Sequence, residues 1–382
     1  MQIYLVGGAV RDGLLGLPVD ERDWVVVGAD AAAMRAEGYV PADPTFPVFR
    51  HPQTGDEYAL ARREVKRGEG YRGFEVDARP DVTLEEDLRR RDLTVNAMAQ
   101  GADGAIVDPY GGRDDLDARL LRHVSAAFVE DPVRVLRVAR FAAKLGANGF
   151  RVAHATHRLM RQMVARGDIA HLAPERLWRE MVKAMRAAQP WRFFEVLQRC
   201  GALQVLIPQL AAAMGTAGAH GDGPDSPPIA ALKRLSRDAE PASQRLAAVL
   251  WCCADSPADA DRLSAALRAD RTTAQLLRRA VSGRALCGAA AGADCEAMFE
   301  LATLWRAFDA HGEFEATLAV CAAQYADARF AAGLHAAVAA ARAVSAAQLR
   351  SRGISGAELG SAIASARREA MAGALRDAGL LP

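Results

Sequence analysis

The chain changes texture once, between Asp117 and Asp131, and that change restricts the folds open to it. Up to about Asp117, short β-branched runs (Ile3–Val6, Trp24–Val27) alternate with Gly, Pro and Asp turns and with short helical patterns. From about Asp131 onward apolar residues recur at helical spacing and β-branched runs become scarce. Late segments such as "LHAAVAAARAVSAAQLR" are rich in alanine, the best helix former. The pattern predicts an α+β head over residues 1–130, built on a small mixed sheet with helices. An all-α neck over 131–212 follows, then an all-α body and tail over 213–382. The stretch "GTAGAHGDGPDSPP", Gly215 to Pro228, is the clearest linker, dense in turn residues. No fixed-period repeat is present.

Composition excludes little by itself. Of 382 residues, 51% are hydrophobic and 25% charged, which is ordinary for a globular protein. The formal charge is +1, so a nucleic-acid or membrane partner must be argued from local clusters. The six cysteines form no C-x-x-C pair, and adjacent Cys252 and Cys253 suit neither a zinc knuckle nor a disulfide framework. Reduced thiols and a cytoplasmic location are expected. Arg11 and Asp12 interrupt the first apolar stretch, so no signal peptide is expected. The apolar run Leu246 to Ala254 is too short to span a bilayer.

Chemistry enters with "MQIYLVGGAVRDGLLG" and "DERDWVVVG". Side chains at i and i+2 of a strand share a face, so Glu21 and Asp23 can present two carboxylates to one metal site. Mg2+ prefers such oxygen ligands and leaves room for water and phosphate. Gly7 and Gly8 follow a strand and precede a helix expected over Val10–Leu15. There, backbone N–H groups can approach a phosphate. Arg11 in the first turn can neutralise a triphosphate. Taken singly these features are ordinary: a Gly-Gly turn is usually a turn, and acid-x-acid is usually a solvated strand edge.

Later stretches add further groups. "RRDLTVNAMA" predicts Arg90, Arg91 and Asp92 at a helix start, where Asp92 can cap the helix or hold a sugar hydroxyl and Arg91 can reach a phosphate. In "EDPVRVLRVARF", Asp131 and Arg134 are three apart and expected to be neighbours on a helix surface. A fixed carboxylate and guanidinium can pair with the amino donor and ring-nitrogen acceptor that cytosine and adenine share. Uracil and guanine present the opposite pattern. The residues alone leave an intrahelical salt bridge as the ordinary reading. Arg137 and Arg140 continue at i+3 steps. From Pro132 to Gly167 there is no acidic residue against eight Lys or Arg, which points to a phosphate-lined surface.

Together, in this order, "LVGGAVRD" and "ERDWVVVG" resemble the head of the class II tRNA nucleotidyltransferases, within the polymerase-β-like nucleotidyltransferase superfamily. "RRDLTVNAMA", "DPYGGRDDL", "EDPVRVLRVARFAAKLG" and "PERLWRE" resemble that family's later motifs, and the likeness covers roughly residues 1–212. It is nearest to the bacterial CCA-adding enzymes. The resemblance implies a template-independent addition of C, C and A to the 3′ end of tRNA from CTP and ATP, with Mg2+ held by Glu21 and Asp23. It implies triphosphate contact by Gly8, Arg11, Arg91, Arg137 and Arg140, and a ribose side shaped by Asp92 and Asn96. It makes Asp131 and Arg134 an amino-acid template for the base, and places the tRNA acceptor arm against the helical body.

Two features depart from the family pattern. The usual metal pair is Asp-x-Asp, whereas Glu21 stands first here. The tail has no His-Asp doublet, and after Gly223 its histidines are His311 and His335, so no phosphohydrolase activity is expected. Segment Ala61 to Leu88 is placed like a mobile loop of the family, and Glu57 is a further candidate carboxylate. A poly(A) polymerase is the competing enzyme reading, but "FPVFRHPQTGDEYALARRE" resembles the CCA-adding type. A non-catalytic tRNA-binding relative is the third, against which Asp23, Arg91, Asp131 and Arg134 speak.

Overall fold

A computed structural model describes residues 1–43, 46–66, 74–215, 225–237, 240–291, 294–309, 313–325 and 328–380. The chain forms two compact units, 1–176 with 192–206, and 177–191 with 207–382. These boundaries differ from those expected at 130 and 212. The helical pattern is continuous there, and helix periodicity carries no information on which helices pack together.

The first unit opens with β1 (Gln2–Val6), α1 (Gly8–Leu14), β2 (Asp23–Val27) and α2 (Ala31–Ala36). Strands β3 (Val40–Pro41), β4 (Val48–Arg50), β5 (Glu57–Leu60), β6 (Arg63–Lys66) and β7 (Phe74–Asp77) follow. Then come α3 (Leu84–Arg89), β8 (Ala99–Gln100), β9 (Ile106–Val107), α4 (Gly112–Asp117) and β10 (Leu120–Leu121). A seven-stranded sheet runs β3-β4-β5-β2-β1-β8-β9, with β2 and β5 parallel and the other neighbours antiparallel. This is the mixed sheet of the α+β head expected from sequence.

Strand β2 is covered on both faces, which explains its run of valines. Val25 packs with Val6, Leu88, Ala97 and Ala99. Its neighbour Val26 turns the other way, onto Met34, Phe49, Tyr58 and Leu60. Trp24 also points that way and stacks on Tyr58 at 5.5 Å between ring centroids. Asp23 begins the strand, paired with Val6 of β1 on one side and Glu57 of β5 on the other.

Helix α3 is started by a capping box, in which the Thr83 hydroxyl accepts from the Glu86 N–H and the Glu86 carboxylate accepts from the Thr83 N–H. It ends at Arg89, so Arg90, Arg91 and Asp92 close one helix rather than start the next. A single 3-10 turn, Thr94–Asn96, follows. Strands β6 and β7 pair antiparallel within the segment expected to be a mobile loop. Residues 67–73 of that segment, and 216–224 of the expected linker, lie outside the described residues.

Beyond the sheet come α5 (Val133–Leu145), β11 (Arg151–Val152), α6 (His154–Ala165), α7 (Pro174–Met185), α8 (Trp191–Cys200) and α9 (Ala202–Leu206). In the second unit, all-helical as expected, eleven further helices occur among the described residues, from Pro208–Met214 to Ala357–Asp377. None of the described helices is long and apolar enough to cross a membrane.

Candidate functional site

At the head of β2, Asp23 and Glu57 lie side by side in register on parallel strands, so their side chains share a sheet face. Glu21 lies just before the strand rather than in it, but its charge reaches the Asp23 carboxyl. Crowding by surrounding protein raises the Asp23 pKa; the Arg91 guanidinium opposes this, while Glu21 and Glu57 add to the rise. The three carboxylates therefore form a strained anionic edge that a cation would relieve. Among the described residues no group of three or more His, Cys, Asp or Glu closes on an ion by itself.

Gly7 lies across from Arg91. Its φ of 69° and ψ of −130° belong to a region open essentially to glycine, and a Cβ there would lie 3.1 Å from Arg91 Nη1. This geometry turns the chain from β1 into α1, with Gly8 as the first helical residue. Gly7→Ala is expected to destabilise the fold by about 1–3 kcal/mol, read by chemical denaturation. Arg91 is held by Asp87, which accepts from its Nη2 at 3.1 Å and from Arg90 Nη2 at 2.5 Å. Burial alone would raise the Asp87 pKa, but the two guanidiniums outweigh it and hold the carboxyl below its ordinary range.

The arginine of α1 is buried, not displayed. Arg11 Nε donates to Asp12 Oδ1 at 2.8 Å, and Nη1 donates to Asn96 Oδ1 at 2.5 Å. Lys144 of α5 donates to the other Asp12 oxygen at 2.9 Å. Asn96 Nδ2 in turn donates to Asp92 Oδ1 at 3.1 Å, and Arg137 Nε donates to Asp92 Oδ2 at 2.6 Å. A chain of charge-assisted bonds thus ties α1, the 3-10 turn and α5 together. The Phe141 ring lies within it, with the guanidinium carbons of Arg11, Arg137 and Arg140 at 5.1, 5.7 and 4.1 Å from its centroid.

Asp92 is the acceptor on which this chain depends. Burial pushes its pKa up, but the Arg137 charge and the Asn96, Arg137 and Leu93 donors hold it at about 2. A carboxylate depressed in the folded state stabilises above its unfolded pKa, about 3.9, and loses that contribution as pH falls through the folded value. Asp92→Asn is expected to cost roughly 2 kcal/mol at neutral pH. In urea titrations the gap to the parent protein should narrow as pH falls toward about 2.

Asp131 and Arg134, expected to be neighbours on a helix surface, bond to different partners. Asp131 lies in extended backbone before α5, and its Oδ1 accepts from the Val133 N–H. Both of its oxygens accept from Arg176, at 2.9 and 2.7 Å. Arg134 is buried, with Nη1 donating to the Ala127 carbonyl at 2.5 Å and Nη2 to the Arg90 carbonyl at 2.7 Å. The one-sign run of α5 is likewise partly spent inside the unit, since Arg134, Arg137 and Lys144 all bond inward.

The expected residues therefore fall into three neighbouring groups: Asp23 with Glu21, Gly7–Gly8 and Arg91; Arg11 with Asn96, Asp92, Arg137 and Arg140; and Asp131 and Arg134, each on its own partners. Asp12, Asp87 and Arg176 have no role assigned from sequence, and Lys144 enters only as one of the eight basic residues between Pro132 and Gly167. Two of them carried a local signal: Asp12 adjoins Arg11, and Asp87 stands three and four residues before Arg90 and Arg91. In the second unit, His335 Nε2 lies 3.6 Å from Glu315. His311 lies outside the described residues.

Residues 3–122 match the family model described as "Poly A polymerase head domain". Residues 149–214 match "Probable RNA and SrmB- binding site of polymerase A". The sheet from Ile3 onward and the groups around Asp23 lie within the residues that match the head-domain model. The chain is similar to curated proteins called multifunctional CCA protein. It is 62% identical over 215 residues to that of Thioalkalivibrio sulfidiphilus, covering 56% of this chain and 53% of the relative. It is 53% identical over 257 residues to that of Pseudomonas aeruginosa PAO1, covering 66% of this chain and 62% of the relative. The chain thus spans between half and two thirds of the length of these relatives. In fold it is similar to the Bacillus stearothermophilus CCA-adding enzyme solved with CTP, with a TM-score of 0.65 at 22% identity, covering 97% of this chain and 89% of that one. An apo CCA-adding enzyme structure gives a TM-score of 0.71 at 20% identity, covering 99% of this chain and 92% of that one.

Proposed function

We propose that this chain adds C, C and A to the 3′ end of tRNA, using CTP and ATP and releasing pyrophosphate. The observation that carries this reading is the crowding of Asp23 by Glu21 and Glu57 on a Poly A polymerase head, with Gly7 and Arg91 at the same strand end. The names of the relatives that align with more than half of this chain support it.

The carboxylate edge fits a hard divalent cation, Mg2+ by its ligand preference, because it offers oxygen donors whose mutual repulsion such a charge removes. Glu21 and Asp23 would hold it, with Glu57 facing Asp23. When bound, divalent ions would lower the pKa of the primer 3′-hydroxyl and neutralise the leaving pyrophosphate. No side chain is assigned as general base.

The triphosphate would lie against Gly8 and the guanidiniums of Arg91, Arg137 and Arg140, with Arg11, buried and bonded to Asp12 and Asn96, supporting that wall from within. Asp92 and Asn96, already hydrogen-bonded to one another, would set the ribose side. Base selection falls to Asp131 and Arg134. To meet a base, Arg134 must exchange the Ala127 and Arg90 carbonyls, and Asp131 must share or release Arg176. Only a base that satisfies both groups compensates for those lost bonds, which is a physical basis for selection without a template.

The test is incorporation. Purified protein and Mg2+ are given tRNA ending before CCA, after C, or after CC, with each labelled nucleotide offered singly and in pairs. Two additions of C followed by one of A support the proposal. A long A tract moves the chain to the poly(A) polymerases. No incorporation by folded, tRNA-binding protein removes both readings.

A further inference from the structure

A hollow of about 630 Å³ opens along α6, lined by His154, His157, Arg158, Arg161, Gln162 and Ala165. None of these residues belongs to the site described above. His154, His157, Arg158 and Arg161 stand at i, i+3, i+4 and i+7, so all four share one helix face. Like charges at that spacing oppose helix formation. Gln162 and Ala165, the other lining residues, offer no negative charge.

The stripe is not neutralised by the protein. Arg158 and Arg161 are exposed, and among the described residues neither meets a carboxylate. By contrast, Arg166, at the end of the same helix, is paired with Asp168 at 2.7 Å. His157 differs from the arginines. Its ring hydrogen-bonds the Arg199 backbone, while its Nε2 is buried without a partner. Burial lowers its pKa, and Arg161, Arg199 and His154 lower it further. The 3-10 turn Asp168–His171 packed beside α6 contributes His171 and Asp168, the latter engaged by Arg166; α9 brings no titratable side chain. A ring bonded to a carbonyl through one nitrogen has only a lone pair at the other while neutral. It gains a second donor there on protonation.

We propose that this hollow seats a backbone phosphate of the bound RNA, gripped by Arg158 and Arg161, with His157 completing the seat when it takes up a proton. The inference rests on the proposed tRNA substrate and narrows it to one contact in the segment that matches the RNA-binding family model. An anion reverses the charge balance that holds His157 neutral, so RNA binding and proton uptake are linked.

The experiment measures binding of a dye-labelled tRNA transcript lacking CCA to the full chain by fluorescence anisotropy. It is run over a series of salt concentrations and from about pH 5.5 to 8, where histidines titrate. Arg158→Ala/Arg161→Ala is expected to weaken binding about tenfold and to lower the slope of log affinity against log salt by about 1.5. Arg158→Ala alone, at an exposed position, should give about half that change in slope. Affinity of the parent protein should rise as pH falls, and His157→Gln should lose most of that rise. Incorporation by the double variant should show a raised KM for tRNA with kcat unchanged.

Unaltered affinity and salt slope in the double variant, while the parent adds nucleotides, would overturn the phosphate seat and leave the enzyme reading standing. So would inorganic phosphate binding that is lost in the double variant while tRNA affinity is unaltered, which would make the hollow a site for a free anion. An unchanged pH dependence in His157→Gln would overturn the part assigned to His157. A parent protein that binds tRNA through these residues yet adds nothing would overturn the enzyme reading and leave the seat standing.

Discussion

Asp23→Asn is expected to reduce nucleotide incorporation by about a thousandfold or more, without lowering the melting temperature. A ligand to a catalytic metal is worth several kcal/mol at the transition state, and each 1.36 kcal/mol is a factor of about ten in rate. The folded protein gains nothing comparable from this carboxyl. Its surroundings disfavour the charged form, and Glu21 and Glu57 repel it. Replacing it with a neutral amide of the same shape removes that repulsion, so stability should hold or rise as activity collapses. Single-turnover incorporation, thermal melting and tRNA affinity on one preparation check this. Incorporation above about a tenth of the parent rate would mean that Asp23 is not the ligand proposed here.

Asp131→Ala is expected to have the second large effect, on selectivity as much as on rate. If this carboxylate reads the base, CTP and ATP incorporation falls while UTP and GTP are no longer excluded. Sites built from polar groups lose discrimination of order 10² to 10⁴ when a recognising group is removed. The structure adds a complication, since Asp131 also holds Arg176 with both oxygens. Arg176→Met separates the two roles. It leaves the carboxylate in place but without its partner. If it relaxes base choice as far as Asp131→Ala does, Asp131 acts by positioning the α7 end rather than by touching the base. If rate falls but C and A remain selected, Asp131 acts directly. Incorporation from each nucleotide alone on tRNA ending before CCA decides between them.

Local signals made the outline of the fold legible. The β-branched runs mark β1 and β2, each strand beginning one residue before its run. The Ala-rich, helically spaced remainder is helical as read. Strands of two residues, β8 and β9, are too short for periodicity to reveal, yet they extend the sheet on the β1 side. The helix expected to start at Arg90–Asp92 instead ends there, because the capping box Thr83-x-x-Glu86 starts it upstream. Partners distant in sequence were not legible. Arg11 meets Asn96 across 85 residues, Arg176 meets Asp131 across 45, and Lys144 meets Asp12 across 132. Composition and spacing name the groups able to do chemistry, but they do not say which are already occupied by one another.

That β2 is packed from both sides bears on precision at its first residue. A one-residue slip of a strand exchanges its two faces. Here it would bring Trp24 to the carboxylate edge and carry Asp23 toward Tyr58, unstacking two aromatic rings and driving a carboxylate into an apolar cluster. Such an alternative is excluded by the lost Trp24–Tyr58 stack and by the cost of burying the acid in a close-packed apolar interior. The placing of the proposed metal edge is thus set by residues with no chemistry of their own, and Trp24 and Tyr58 serve as its ruler.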